Sequence, residues 1–431
     1  MRAMKDSGIP WIGEIPKDWR NAKYRYSGEF IKGKLPNEQN VEQLGKPIIG
    51  ASEMLGKECR NFSTDENIPT CQKEDVLILW DGANAGIVAN NCEGIVSSTA
   101  VKYVCTDKKF DAQFLFYLFK NGEPFFKSKV NGTTIPHMNQ KYIDEYLCIQ
   151  PSLAEQQRIA EFLDRKCAEV DEMIALQEQI IEELKAYKQS VITETVTKGL
   201  NPDVSMKDSG IEWIGEIPEH WEVRKLSKVF SFKGGYAFNS DDFKEEGDKQ
   251  VIRIGNIRND LLRLDVSPVY ISNNIALKAE KSQLEKGQIL FTMTGTKGKR
   301  DYFYTLLLKD ENFDGKELYL NQRVGCFAKK DGVCAGYYNY LLKDSNILDS
   351  IFIYETGTAN QGNLGIETIK RTMLQYPPED EQQSIADYLD NKCGEIDELI
   401  AIKQSKIDSL KEYKKSIIYE YVTGKREVEL V

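Results

Sequence analysis

Residues 152 to 199 read SLAEQQRIAEFLDRKCAEVDEMIALQEQIIEELKAYKQSVITETVTKG, with no proline and no glycine before the last position. Ser152 and Glu155 stand in the S-x-x-E spacing in which side chain and backbone satisfy each other's orphan donors at a helix start. Gly199, after Lys198, supplies the stop. Apolar residues recur at Val170, Met173, Ile180, Leu184, Tyr187 and Val191, with Gln177 on the one skipped position, and Ile174 and Ile181 widen the stripe. The pattern predicts one helix roughly 65 Å long at ~1.5 Å per residue. A rod of that length needs a partner along it, because tertiary packing rather than propensity holds most helices.

The partner lies in the same chain. Residues 381 to 423 repeat the first rod at a constant offset of 226, without a gap: Glu155/Glu381, Gln156/Gln382, Gln157/Gln383, Leu163/Leu389, Asp164/Asp390, Lys166/Lys392, Cys167/Cys393, Asp171/Asp397, Leu184/Leu410, Tyr187/Tyr413 and Lys188/Lys414. The second stripe, Ile396, Leu399, Leu410, Tyr413 and Ile417, falls on matching positions, so the two helices can pair as a coiled coil. The residues expected in the seam are Val170, Ile174, Ile181, Leu184 and Tyr187 on one helix and Ile396, Ile400, Leu410, Tyr413 and Ile417 on the other.

The repeat extends beyond the rods. MKDSGIPWIGEIPKDW at Met4 to Trp19 returns as MKDSGIEWIGEIPEHW at Met206 to Trp221, with 13 of 16 residues identical. It reads as an extended clip whose Trp and Ile side chains pack on a domain edge. After each clip come short β-branched runs between turns, the signature of an α/β globule. The first set is KPIIGASEM (46 to 54), EDVLILW (74 to 80), GIVSSTAVKYV (94 to 104) and DEYLCIQP (144 to 151), with a helix at 111 to 121. The second is KQVIRIGNI (249 to 257), KGQILFTMTGT (286 to 296), YLNQRVGCFAK (319 to 329) and RTMLQYPP (371 to 378), with a helix at 335 to 345. The offset drifts from 202 at the clips to 226 in the rods, so insertions accumulate inside the globules while the frame stays fixed. Loops that vary on a fixed frame are where binding specificity resides.

The net charge of −10 first argues against nucleic acid, but the rods carry −4 (151 to 199) and −5 (377 to 431), leaving −1 for the rest. The near-neutral globules are free to present basic faces. Nine cysteines without a C-x-x-C pair fit reduced thiols in a cytoplasm, and no run approaches the ~20 apolar residues of a membrane span. Only His137 and His220 represent histidine, which nearly empties the usual pool of metal ligands and general bases.

Enzymatic motifs are missing. The one Pro-Pro, Pro377 and Pro378, stands in Tyr-Pro-Pro-Glu and opens a helix, unlike the [NDS]-P-P-[YF] turn of an amino-methyltransferase. No glycine-rich cofactor loop or G-x-x-x-x-G-K-[ST] follows a strand, since TGTKGKR at Thr294 to Arg300 has the wrong spacing. Pro202 and Asp203 lack the E-x-K that a nuclease metal site requires.

Binding features are more numerous. Phe-Lys-Gly-Gly-Tyr-Ala-Phe at 232 to 238 joins Lys233 and Tyr236 to flexible glycines. Thr296, Lys297, Lys299 and Arg300 form a basic, hydroxyl-bearing loop after a strand, and Asn321, Gln322 and Arg323 suit bidentate readout of purine edges. In the first half, Thr133, Thr134, His137, Asn139 and Gln140 make a polar loop echoed by Thr358, Asn360 and Gln361, while Trp80 and Asn84 flank the end of a strand. Each of these alone is weak and reads more readily as a solvated loop.

The order clip, globule, rod, clip, globule, rod, with EQQ-x-IA-x-(F/Y)LD-x-KC opening each rod, resembles the specificity (S) subunits of type I restriction-modification systems, the HsdS family. SGIxWIGEIPxxW, KGGYAF, RIGNI and the GT loops ahead of each rod carry the same likeness. The resemblance implies an α/β fold of two target-recognition globules with small sheets, separated by two long antiparallel coiled-coil helices in a pseudo-twofold repeat. It divides the chain into a first recognition domain (1 to 150), a central helix (151 to 199), a linker (200 to 205), a second recognition domain (206 to 376), a C-terminal helix (377 to 425) and a tail (426 to 431). It further implies a non-catalytic, cytoplasmic subunit that reads a bipartite, asymmetric sequence in double-stranded DNA, between two methyltransferase and two restriction subunits. No metal and no cofactor is expected on this chain, S-adenosylmethionine belonging to the methyltransferase. The alternative left open by the residues themselves is a DNA-independent coiled-coil scaffold or, against the missing motifs, a divergent enzyme.

Overall fold

The computed structural model describes residues 2–9, 11–23, 26–130, 136–139, 147–258, 261–358 and 360–429. Two long helices, Leu153–Lys198 and Glu379–Val422, dominate it. The chain divides into two compact units, unit 1 comprising Met1–Gln179 with Gln404–Val431 and unit 2 comprising Ile180–Lys403. Each long helix therefore gives part of its length to each unit.

Within a unit the two half-helices run antiparallel. In unit 1 the Lys414 ammonium grips both carboxylate oxygens of Asp171 at 2.8 and 2.6 Å. In unit 2 the equivalent Lys188 grips Asp397 at 2.8 and 2.7 Å. The seam follows a heptad that the apolar stripe only partly revealed. Val170, Ile181, Ile396 and Ile417 are buried, and Ile174, Leu184, Ile400 and Leu410 are half-buried. Tyr187 and Tyr413 differ from expectation: they are 51% and 53% exposed, lying one residue off the seam positions taken by Lys188 and Lys414. Gln177, the apparent gap in the stripe, is buried, and Ile192, Val196, Ile407, Ile418 and Val422 complete the packing.

The clips are short hairpins, Met4–Asp6 paired with Glu14–Pro16 and Met206–Asp208 paired with Glu216–Pro218. Ile12, Ile15, Trp19, Ile217 and Trp221 are at most 1% exposed, so the clips form part of the cores. The Trp19 indole donates to Glu155 and the Trp221 indole to Glu381, both at 3.0 Å. This corrects the expected capping box. Ser152 does cap the helix, its hydroxyl accepting from the Glu155 amide at 3.3 Å, but the Glu155 carboxylate is taken by the clip and by Arg2. Gly199 and Gly424 end the two helices with φ of +77° and +70°, in the left-handed region that favours glycine.

The globules share one topology. Unit 1 has an antiparallel sheet in the order Gly28–Lys32, Ala100–Cys105, Val76–Leu79, Val88–Ala89, and unit 2 repeats it as Phe230–Gly234, Val324–Lys329, Ile289–Thr292, Thr305–Leu307. Each also pairs two strands in parallel, Lys46–Ile49 with Gly94–Val96 and Lys249–Ile252 with Glu317–Leu320. The runs 94 to 104 and 319 to 329, which read as single strands, are each two strands broken at Ser97–Thr99 and Asn321–Arg323. The predicted helix at 335 to 345 stops at Leu341, because Asp344 caps the next helix, Ser345–Phe352, by accepting from the Asn346 and Ile347 amides.

The packed globule helices, Ala112–Asn121 and Ala335–Leu341, are stapled to the rods by the first glutamine of each EQQ motif. The wholly buried Gln156 side chain accepts from the Asp111 amide at 2.9 Å and donates to the Lys109 and Pro151 carbonyls, both at 3.0 Å. Gln382, equally buried, accepts from the Cys334 amide at 2.9 Å and donates to the Pro377 carbonyl at 2.8 Å. Among the described residues no helix is long and apolar enough to cross a membrane.

Candidate nucleic-acid interface

In unit 2 the loops at one edge of the antiparallel sheet converge. Past Thr292 the chain forms Thr294–Gly295, which pairs with Gln361–Asn363, itself paired with Thr356–Thr358. The Met293 amide donates to the Arg323 carbonyl at 3.3 Å and the Leu364 amide to the Met293 carbonyl at 3.1 Å, tying the 321–323 loop to this small sheet. Tyr236 bridges Asn321 from the other side. A Cβ on Gly235 would lie 2.0 Å from the Asn321 carbonyl oxygen, so only glycine lets the two loops cross.

The 294–303 segment is held in a strained shape. Arg300 and Phe303 have φ of +51° and +60°, a conformation that costs a non-glycine residue of order 1–3 kcal/mol. The surroundings impose it. The Thr296 hydroxyl and amide bind Asp301 and hold its carboxyl below the usual carboxylate range. The Gly298 amide donates to Glu355 at 3.0 Å, and the Tyr302 hydroxyl to the same carboxylate at 2.7 Å.

Unit 1 builds the same edge with other side chains. Gly33 crosses beneath the 97–99 loop, where a Cβ would lie 2.1 Å from the Ser97 carbonyl oxygen. The Trp80 amide donates to the Thr99 carbonyl at 2.8 Å and the Met138 amide to the Trp80 carbonyl at 2.9 Å. Asp81 bridges His137, at the place where Thr294 meets Asn363 in unit 2. The Asp81 carboxylate lies 2.7 Å from His137 Nδ1 and 3.1 Å from the Lys32 ammonium. Ser97 and Thr99 share a hydroxyl hydrogen bond of 2.8 Å.

The expected binding residues separate accordingly. Lys297, Lys299, Gln322, Arg323, Thr358, Asn360 and Gln361 are exposed along the unit 2 edge, with Thr296 and Asn321 half-buried beside them. Among the described residues neither Lys299 nor Arg323 has an ion-pair partner, whereas Lys297 donates to the Gly357 carbonyl at 3.0 Å. Three side chains turn elsewhere. Lys233 donates to the Gln283 carbonyl at 2.8 Å, Arg300 is paired with Asp349 over the Phe352 ring, and Tyr236 packs on Phe238. In unit 1, His137, Asn139 and Asn84 are exposed, but Trp80 is 7% exposed and belongs to the core, so its ring is unavailable for stacking on a base. Thr133, Thr134 and Gln140 lie outside the described residues. Lys32, Asp81, Ser97 and Thr99 were not singled out from sequence. The signal that points to them is the pair Gly33 and Gly235, which crosses beneath equivalent loops in both units.

The model of the type I restriction modification DNA specificity domain matches residues 16–186 and again 218–412. The chain is 30% identical to the type I restriction enzyme MjaVIII specificity subunit of Methanocaldococcus jannaschii over 96% of this chain and 94% of that protein. It is 21% identical to the EcoBI specificity subunit of Escherichia coli, over 81% of this chain and 73% of that protein. A solved chain from work on complex assembly and conformational transition of the type I R-M system superposes with a TM-score of 0.70 at 16% identity, covering 96% of this chain and 99% of its own, a likeness of fold. Two matches to one domain model, falling on two units of one topology, leave a single assignment: the chain belongs to the type I restriction-modification specificity subunits.

Proposed function

We propose that the chain reads a bipartite, asymmetric DNA sequence, one half through the loop edge of each unit. The observation that carries this reading is that equivalent backbone presents unlike side chains. Where unit 1 has Ser97, Thr99, Asp81 and His137, unit 2 has Asn321, Arg323, Thr294 and Asn363. A shared frame with different donors and acceptors suits two unlike half-sites. Asn321 and Arg323 match the bidentate patterns for adenine and guanine edges in the major groove. Lys299 suits a phosphate, which adds affinity and little sequence information.

In this reading the chain, in the cytoplasm, performs no chemistry and holds no cofactor. Adenine flipping, S-adenosylmethionine binding and methyl transfer fall to two methyltransferase subunits, and cleavage to two restriction subunits. Exposed apolar side chains support two like partners. Met173, Leu176 and Tyr413 are 50%, 54% and 53% exposed in unit 1, and the equivalent Leu399, Ile402 and Tyr187 are 46%, 61% and 51% exposed in unit 2. Large apolar groups repeated on the surface at matching points fit two copies of one subunit.

The test is a genome-wide map of N6-methyladenine with the gene intact, deleted, or carrying single substitutions. Deletion is expected to erase one split, asymmetric motif. Arg323→Ala is expected to relax only the half-site read by unit 2, at one base pair, with about 1–3 kcal/mol of lost discrimination. His137→Ala is expected to act only on the other half. A map indifferent to deletion, while the methyltransferase is expressed and active, would return the chain to a DNA-independent scaffold.

A further inference from the structure

Each unit contains an open polar cleft between its globule helix and the long helices, about 530 Å³ in unit 1 and about 340 Å³ in unit 2. Tyr117, Asp164, Cys167, Asp171 and Lys414 line the first. Tyr340, Asp390, Cys393, Asp397 and Lys188 line the second, the same residue types at equivalent positions. The contacts repeat as well. The Tyr117 hydroxyl donates to Asp164 at 2.7 Å and that of Tyr340 to Asp390 at 2.8 Å, beside the lysine–aspartate pairs already described. Burial raises both cysteine thiols, so they line the clefts as neutral groups.

A duplicated packing contact accounts for these five positions, but the facing wall is different. In unit 1 it brings Lys73 and Glu74, from the turn between the Thr70–Cys71 and Val76–Leu79 strands. In unit 2 it brings Lys309 and Glu311, from the turn after the Thr305–Leu307 strand. These turns are not equivalent, because the repeat relates Val76–Leu79 to Ile289–Thr292, with Thr305–Leu307 on the far side of it. Unrelated segments thus supply the same pair of charges. With Lys120 and Lys343, each cleft holds three basic and three acidic side chains. Two globules whose DNA-facing edges have diverged still present one charge pattern here.

We propose that the two clefts are docking sites for one and the same polypeptide segment, carried by two copies of a single partner subunit. This rests on the reading of the chain as the specificity subunit of a larger complex. The segment carries both basic and acidic side chains, since the cleft offers both signs with no net charge. A nucleic-acid backbone would meet three carboxylates in either cleft. Such a patterned, balanced surface fixes partner choice and register more than raw affinity.

The experiment uses the full chain with the methyltransferase subunit and reads the number of copies bound by native mass spectrometry. Lys73→Glu and Lys309→Glu reverse one charge in each cleft at exposed turn residues away from the seam, Lys309 standing 3.8 Å from Asp390 in an exposed ion pair. The parent chain is expected to take two copies. Each single variant is expected to keep one copy and to bind the other at least about tenfold more weakly, through like-charge juxtaposition, and the double variant to lose both. Thermal unfolding of each variant alone is expected to match the parent, which separates docking from folding. If Lys73→Glu or Lys309→Glu, which sets a carboxylate beside Asp390, proves unstable, the glutamine variant at that position replaces it, with a smaller loss expected at the same copy. Retention of two copies at parental affinity by the double variant overturns the docking site and leaves the specificity reading intact. Failure of the parent chain to take up any methyltransferase overturns that reading itself.

Discussion

Inserting four residues into each long helix, after Gln179 and after Lys403, is expected to lengthen the spacer of the methylated motif by one base pair and to leave both half-sites unchanged. These points are where the two units divide, and they stand clear of the Lys414–Asp171 and Lys188–Asp397 pairs. Four helical residues add about 6 Å and about 40° of rotation. One base pair adds about 3.4 Å and roughly 34°, from about 10.5 base pairs per turn. Rotation therefore matches closely, and the residual of about 2.6 Å is small enough for DNA bending to absorb at modest cost. Seven residues would preserve the heptad better but add only about 10 Å with almost no rotation, whereas three base pairs rotate by about 100°. Four inserted residues form a stutter, which locally unwinds a coiled coil without breaking it. A methylation map of cells carrying the variant decides the matter. An unchanged spacer would show that the rods do not set the spacing, and altered half-site bases would show that the reading edges depend on them.

The same helices show how far sequence alone reaches. The constant offset of 226 exposes the pair without ambiguity, because insertions in a packed rod shift every later contact. Which positions face the seam is harder to read. Over 46 residues a 3.5-residue and a 3.6-residue repeat drift apart, and Tyr187 looks like a seam residue although Lys188 holds the place. Polar residues in the seam deepen the difficulty, since Gln177 reads as a gap and is buried. In the globules the strands are visible as β-branched runs, but the breaks at Ser97–Thr99 and Asn321–Arg323 are not, because the crossing glycine that forces them lies more than 60 residues earlier. The Lys32, Asp81 and His137 cluster is hidden for a like reason: its members meet only when the end of the Gly28–Lys32 strand and two distant loops converge. Trp80 shows the opposite error, an aromatic residue at a strand end that looks available and points into the core.

Replacing Gln382 by leucine is expected to destabilise unit 2 by about 2–6 kcal/mol, and Gln156→Leu to destabilise unit 1 by at least as much, although leucine fills a similar volume. The cause is what remains behind. Without the Gln382 amide, the Cys334 N–H and the Pro377 carbonyl lose their partners, whereas the Gly332 carbonyl, which accepts from Gln382 at 3.4 Å, keeps the Tyr376 hydroxyl at 3.0 Å. Each orphaned buried polar group costs about 1–3 kcal/mol. Gln382→Glu is not expected to rescue, since a carboxylate keeps the acceptor for Cys334 but turns an oxygen toward two carbonyls and buries a charge without a cation. The adjacent Gln383 is the internal control. It is exposed, donates to Asp387 within its own helix at 2.8 Å and accepts only the weak Cys334 thiol donor at 3.4 Å from the globule, so Gln383→Ala is expected to stay within about 0.5 kcal/mol of the parent. Urea unfolding of the full chain, followed separately by a probe in each unit, measures all four variants. If Gln382→Leu and Gln383→Ala lose similar stability, the staple is not what anchors the globule to the rod. If Gln382→Leu lowers the midpoint of unit 2 alone, one side chain in each repeated motif carries that anchorage, and the neighbouring glutamate and glutamine serve the clip and the surface.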